Sequence, residues 1–224
     1  GVYLTCLDVG MGNFKDSKLQ TLAKKGNGNY AYLDDIKEAE KVLVKELTQT
    51  FYAVADDVFM NVQFNPAMVK EYRLIGFDNK REAIADKAND LEGGEIGSGN
   101  STLAIFEIVP TELNAETNIE AEIATLSMRY SYCNDTAVNN MSYLVKKDFV
   151  PFDSIDHELQ FATAVTMFAL KLKQSAYLKN TDWLTVESIA QLSADKNNYL
   201  QNEFLQLLVK AQKLYPEKKK KKGK

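Results

Sequence analysis

The order of elements in the first fifty residues constrains this chain most. Residues 2–9 read Val-Tyr-Leu-Thr-Cys-Leu-Asp-Val, a compact β-type run that meets Gly10-Met11-Gly12-Asn13. A helical pattern follows, then a short strand at 29–33, then a second helical pattern. Strand, helix, strand, helix is the unit that fills one side of a parallel sheet. Two parallel strands do not make a sheet that stands alone, since such strands are normally buried on both faces. The pattern therefore predicts further strands upstream and reads the chain as the C-terminal part of a longer protein.

Composition, at 45% hydrophobic and 26% charged, is that of a globular chain that buries a core. No apolar run reaches the roughly 18 residues of a membrane-spanning helix, so no transmembrane segment is expected. The net charge of −4 conceals an asymmetry. Six lysines among residues 218–224 contribute +6, which leaves the rest at −10. An acidic body argues against nucleic acid as a partner. The lysine run, residues 216–224, reads as a solvated, disordered tail.

The first helix has Asp16 or Ser17 as N-cap, Leu19, Leu22 and Ala23 on one face, and Gly26 at its end. The second opens with Asp35 and Glu38 at capping-box spacing, and its stripe of Ile36, Ala39, Leu43, Leu47, Phe51 and Val54 should bury against a sheet. Near Asp56 the period becomes two: Val58, Met60, Val62 and Phe64 alternate with Phe59, Asn61 and Gln63. Asn65-Pro66 should end that strand, because proline has no N–H for the ladder. Further strands are predicted at 69–77, 102–109 and 123–132, with another near 143–149; residues 78–93 read as an irregular excursion. Strands in succession without long helices imply an antiparallel layer or small sandwich. From Asp153 the period returns to 3.6. Leu159, Ala162, Val165, Ala169 and Leu172 share one face, extended by Phe161, Ala164 and Phe168. Two more helices are predicted at 184–193 and 199–215.

The chemistry-bearing motifs all have plain structural readings. Gly10-x-Gly12 lacks the third glycine of a dinucleotide-binding turn, since Lys15 stands there, and reads as a tight strand-to-helix turn. Gly94-Glu95-Ile96-Gly97-Ser98-Gly99 has no following Lys-Ser/Thr and reads as a turn or bulge feeding the next strand. Asp34-Asp35 and Asp56-Asp57 are adjacent carboxylates, better suited to capping and solvation than to a cation. Cys6 and Cys133 form no CxxC pattern, and Cys6 sits in an apolar strand as a small core residue. His157, the single histidine, lies near a helix start, where a capping or surface role is expected. No Ser-x-x-Lys, Gly-x-Ser-x-Gly or His-Glu-x-x-His pattern occurs, and no catalytic, cofactor-binding or metal-ligating residue is assigned.

Several long stretches carry a family resemblance. Residues 4–16, Leu-Thr-Cys-Leu-Asp-Val-Gly-Met-Gly-Asn-Phe-Lys-Asp, and residues 22–32, Leu-Ala-Lys-Lys-Gly-Asn-Gly-Asn-Tyr-Ala-Tyr, resemble the last part of a bacterial von Willebrand factor type A domain of the YfbK type. Phe64-Asn65-Pro66-Ala67, residues 72–77, Gly94 to Gly99, residues 106–110, Arg129-Tyr130, residues 161–165 and Glu203-Phe204 continue the likeness into that family's C-terminal domain. Two positions depart: Asn100 stands where the family commonly has histidine, and Lys80 where an arginine is expected.

The resemblance implies an α+β chain: residues 1–55 a partial parallel α/β remnant of the type A, Rossmann-like domain, and 56–215 the family's C-terminal domain. Within the latter, 56–150 form the β layer and 153–215 a helical bundle. Type A domains bind Mg²⁺ through an Asp-x-Ser-x-Ser loop with a Thr and an Asp from later loops, a donor set suited to a hard cation. That motif is absent here, so Mg²⁺ is expected only in an upstream part of the type A domain, and Asp8 is not a family ligand. The function implied is a non-enzymatic protein-interaction module, bracing a ligand site that lies upstream, in a lipoprotein-like parent of the cell envelope or periplasm. The alternatives are a carboxylate-based hydrolase with dispersed acids, or a scaffold holding anionic partners through the lysine tail. The strand at 2–9, short of a neighbour, suggests a homodimer through that edge.

Overall fold

A computed structural model describes residues 4–10, 16–26, 28–76, 94–111, 121–133, 135–178 and 180–216. Two compact units divide the chain, residues 1–147 and 148–224. The fold is α+β, with small sheets in the first unit and helices in the second.

The chain opens with β1 (Cys6–Val9), α1 (Asp16–Lys25) and β2 (Tyr30–Leu33), and the two strands pair in parallel from Cys6↔Tyr30 to Val9↔Leu33. Gly10 turns the chain out of β1 at φ 108°, a conformation that favours glycine, as the sequence predicts. Gly26 works otherwise than as a left-handed cap: a Cβ there would lie 2.5 Å from the Leu4 Cβ, so its bare backbone admits that side chain. Gly12, the N-cap candidates Asp16 and Ser17 as side chains, residues 78–93 and residues 217–224 lie outside what is described.

The expected second helix is broken. It runs as α2 (Ile36–Glu40), a π turn over Lys41–Lys45, and α3 (Leu47–Phe51). Asp35 caps it by accepting from the Glu38 amide at 2.8 Å, but the Glu38 carboxylate turns to Lys41 at 2.9 Å instead of completing a capping box. The wider π turn rotates the faces from there on, so Val42 is buried while Leu43 and Leu47 stay exposed. Ile36, ahead of the turn, is 85% exposed. Val54 leaves the helix altogether for the next strand.

That strand, β3 (Ala53–Phe64), starts earlier than its alternation suggests and ends at Asn65-Pro66 as expected. Asn65 holds the turn: its Oδ1 accepts from the Ala67 amide at 3.0 Å and its Nδ2 donates to the Glu122 carbonyl at 3.0 Å. After it come β4 (Val69–Ile75), β5 (Gly94–Gly97), β6 (Ile105–Pro110), β7 (Glu122–Tyr132) and β8 (Val138–Lys146). The glycine-rich stretch read as a turn or bulge divides: Gly94–Gly97 form the strand β5, and Ser98-Gly99 make the turn, closed by the Asn100 amide donating to the Gly97 carbonyl at 3.0 Å. The last strand lies several residues before the span 143–149 anticipated for it. A four-stranded antiparallel sheet has the order β5-β3-β7-β8, and β4 pairs with β6 apart from it. Phe64 joins the two, its ring 4.5 Å from Tyr72 and 5.3 Å from Phe106.

Register sets the character of each face. Met60, Met128 and Met141 lie side by side on one face, with Val62, Leu126 and Tyr143 in the next row. Asn61, Ser127 and Ser142 take the opposite face.

The second unit holds α4 (His157–Leu172), α5 (Trp183–Ser193) and α6 (Tyr199–Leu214). Asp182 caps α5 through the Thr185 amide at 2.8 Å, and Asn198 caps α6 through Leu200 and Gln201. The core joins Ala164, Phe168, Trp183, Val186, Ala190 and Leu208. On α4 the inward side carries Ala164 and Phe168, whereas Leu159, Val165 and Leu172, of the face first read as central, are exposed. His157, the first residue of α4, is exposed.

Candidate functional site

Among the described residues, polar side chains come together where β3 begins. Alanine 55 pairs with both Ile96 and Tyr132, and Asp56 with Ser131. Both ladders then slip, between Ala55 and Val58 towards β5 and between Asp56 and Phe59 towards β7. Between the slips stands Asp57 at φ 50°, left-handed backbone that non-glycine residues seldom adopt. This bulge re-aims the two adjacent acids. The Asp56 Oδ1 turns back to accept from the Asp57 amide at 2.8 Å, while the Asp57 Oδ2 receives the Arg129 Nη2 at 3.1 Å. The Arg129 guanidinium also lies 4.6 Å from the centre of the Phe59 ring.

Glu95 on β5 and Cys133 just beyond β7 complete the group. Burial, followed by the negative charges of Asp56 and Glu95, pushes the Cys133 thiol above its ordinary range. Such a thiol is protonated at neutral pH and is a poor nucleophile. The neighbouring Tyr130 hydroxyl titrates above its usual range, chiefly through its hydrogen bond with Tyr132, the two oxygens being 3.5 Å apart. The arrangement is therefore an acid-rich corner in which Arg129 pairs with Asp57. In the sequence, Asp56-Asp57 suit capping and solvation better than a cation. The pairing of Asp57 with Arg129, and the influence of Asp56 and Glu95 on Cys133, are not legible there, since they depend on β5 being a strand and on the bulge.

Elsewhere the sequence-weighed residues stay apart. Cys6, in β1, and Cys133, just past β7, are both free thiols and half-buried. Asp8, in β1, is 4% exposed, and its Oδ2 has no hydrogen-bond partner among the described residues. The Mg²⁺ donor set of a type A domain does not fit this chain: Asp-x-Ser-x-Ser does not occur, and no three His, Cys, Asp or Glu among the described residues are placed to hold a metal ion together.

Comparison with known proteins gives these observations a family. Residues 49–214 match the family model described as "Uncharacterized protein YfbK, C-terminal". The chain belongs to the YfbK C-terminal family. It is 32% identical over 226 residues to the "Uncharacterized protein YfbK" of Escherichia coli K12, covering 93% of this chain and 38% of that protein. The chain thus spans less than two fifths of that relative's length. Among solved structures it is similar to the "ArnB paralog VWA2 from Sulfolobus acidocaldarius", at a TM-score of 0.44 and 10% identity, over 92% of this chain and 51% of that one. The family match covers β3 through α6, the span that the sequence motifs from Phe64 to Phe204 mark out.

Proposed function

We propose that this chain is a non-enzymatic support and protein-interaction segment of a larger von Willebrand type A protein, whose metal-dependent ligand site lies outside residues 1–224. The observation that carries the reading is the parallel pair β1–β2. Val9 and Ile36 beside it are exposed, while one oxygen of the buried Asp8 carboxylate, Oδ2, has no hydrogen-bond partner among the described residues. Parallel strands are normally covered on both faces, and a buried carboxylate oxygen without a donor is costly. Further strands and helices of a doubly wound sheet would relieve both conditions. A position in the cell envelope belongs to the same proposal and rests on the type A resemblance.

Calorimetric titration of Mg²⁺ and Mn²⁺ into this chain, and into a version extended upstream through a complete type A domain, tests it. Heat is expected from the longer protein alone. Tight binding by residues 1–224 overturns the reading.

A further inference from the structure

The two edges of the four-stranded sheet are built differently. On one side β5 is four residues long, begins and ends in glycine, and meets β3 through two register shifts. Short, bulged edges accept another strand poorly. On the other side β8 runs for nine residues and pairs with β7 in unbroken register from Ala124↔Val145 to Ser131↔Val138. Among the described residues no strand lies beyond it. From Val138 to Val145 it carries neither charge nor proline, the devices that usually protect an edge. The separate β4–β6 pair does carry them, with Lys70, Glu71, Arg73 and Pro110.

We propose that β8 is a homodimer edge, at which a second copy of this chain adds its own β8 in antiparallel pairing centred on Ser142. In that register Met141 faces Tyr143 of the other copy, and Asn140 faces Leu144. Paired residues share a sheet face because side chains alternate along each strand. Met141 and Tyr143, 53% and 66% exposed, lie on the apolar face that continues from Met60 and Met128, so dimerisation extends that face and covers its open margin. The two-fold axis makes the apolar contact twice, as a self-complementary interface requires. Each Lys146 meets Val138 instead of another lysine. The chain's net charge of −4 opposes association generally, but no like charges meet across the new ladder.

Sedimentation equilibrium of the whole chain over a concentration series tests the proposal. The mass should rise from 25.2 kDa towards twice that value. The double variant Met141→Lys/Tyr143→Lys should associate at least roughly tenfold more weakly, by about 1.4 kcal/mol. So should Met141→Glu/Tyr143→Glu, while an equimolar mixture of the two variants recovers the dimer. Unchanged dimerisation in the lysine variant, or a monomer throughout the series, overturns the proposal. If the variants fail to fold, amide exchange of the unsubstituted chain decides: protection of 138–146 must grow with concentration, and its failure to do so sinks the idea.

Discussion

The indole N–H of Trp183 donates to the backbone carbonyl of Tyr215 at 2.9 Å, tying the start of α5 to the end of α6. The Lys171 ammonium of α4 lies 4.9 Å from the centre of the same ring. One side chain thus links all three helices, through packing, a hydrogen bond and a cation–π contact. Trp183→Phe keeps most of the packing, loses the hydrogen bond, and weakens the cation–π contact. It should destabilise the helical unit by about 1–2 kcal/mol. Urea unfolding followed by far-ultraviolet circular dichroism measures this, since Trp183 is the chain's single tryptophan and its own fluorescence is lost on substitution. An unchanged midpoint would mean the indole contacts contribute nothing net.

Adjacent leucines on α6 test which side of that helix faces the core. Leu208 is 0% exposed against Val186 and Ala190, while Leu207 is 50% exposed. Leu208→Ala should cost about 3–5 kcal/mol through lost burial and the cavity left behind. Leu207→Ala should stay within about 1 kcal/mol of the parent. Comparable losses at the two positions would show that Leu207 is also covered in solution.

Legibility in the sequence followed how local the cause of each element is. The bounds of α5 and α6 were readable because Asp182 and Asn198 cap them and the apolar spacing lies within the helices themselves. The break after Glu40 was not, because a π turn leaves no mark in a stripe that still fits a continuous helix. Glycine is depleted in strands, so Gly94 to Gly97 read as a turn; its reason for being a strand is tertiary. A Cβ at Gly97 would lie 1.8 Å from the Gln49 carbonyl oxygen, so only glycine lets α3 approach so closely. The last strand was placed too late because Asn139 and Asn140 do not read as strand residues, whereas pairing with β7 runs from Val138 to Lys146. The acid corner was hidden for a similar reason. Nothing local to Asp56-Asp57 announces the bulge that turns Asp57 to Arg129.

Acid sensitivity of the helical unit should be traceable to Asp182. The Thr185 hydroxyl and then the Thr185 amide, at 2.6 and 2.8 Å, hold its carboxyl below the usual range, with the Lys171 charge adding in the same direction. A carboxyl whose folded pKa is depressed contributes stability above its unfolded pKa, near about 3.9, and loses it as pH falls through the folded value. The parent should therefore be more stable than Asp182→Ala at neutral pH, and the gap should narrow as pH falls below about 4. Urea midpoints of both proteins across that range provide the check, and a constant gap would contradict the assignment.

Cys133 should be a slow thiol. Thiolate is the reacting species, and burial together with the Asp56 and Glu95 charges disfavours it. In a Cys6→Ser background, iodoacetamide at mildly alkaline pH should alkylate Cys133 more slowly than free cysteine, with the folded protein intact throughout. Replacing both acids, Asp56→Asn with Glu95→Gln, should speed the reaction without reaching the free rate, because burial is the larger cause and remains. Equal rates before and after that replacement would show that the two carboxylates do not act on the sulfur. A parent rate equal to free cysteine would place the thiol in open solvent, outside the corner that β3, β5 and β7 form.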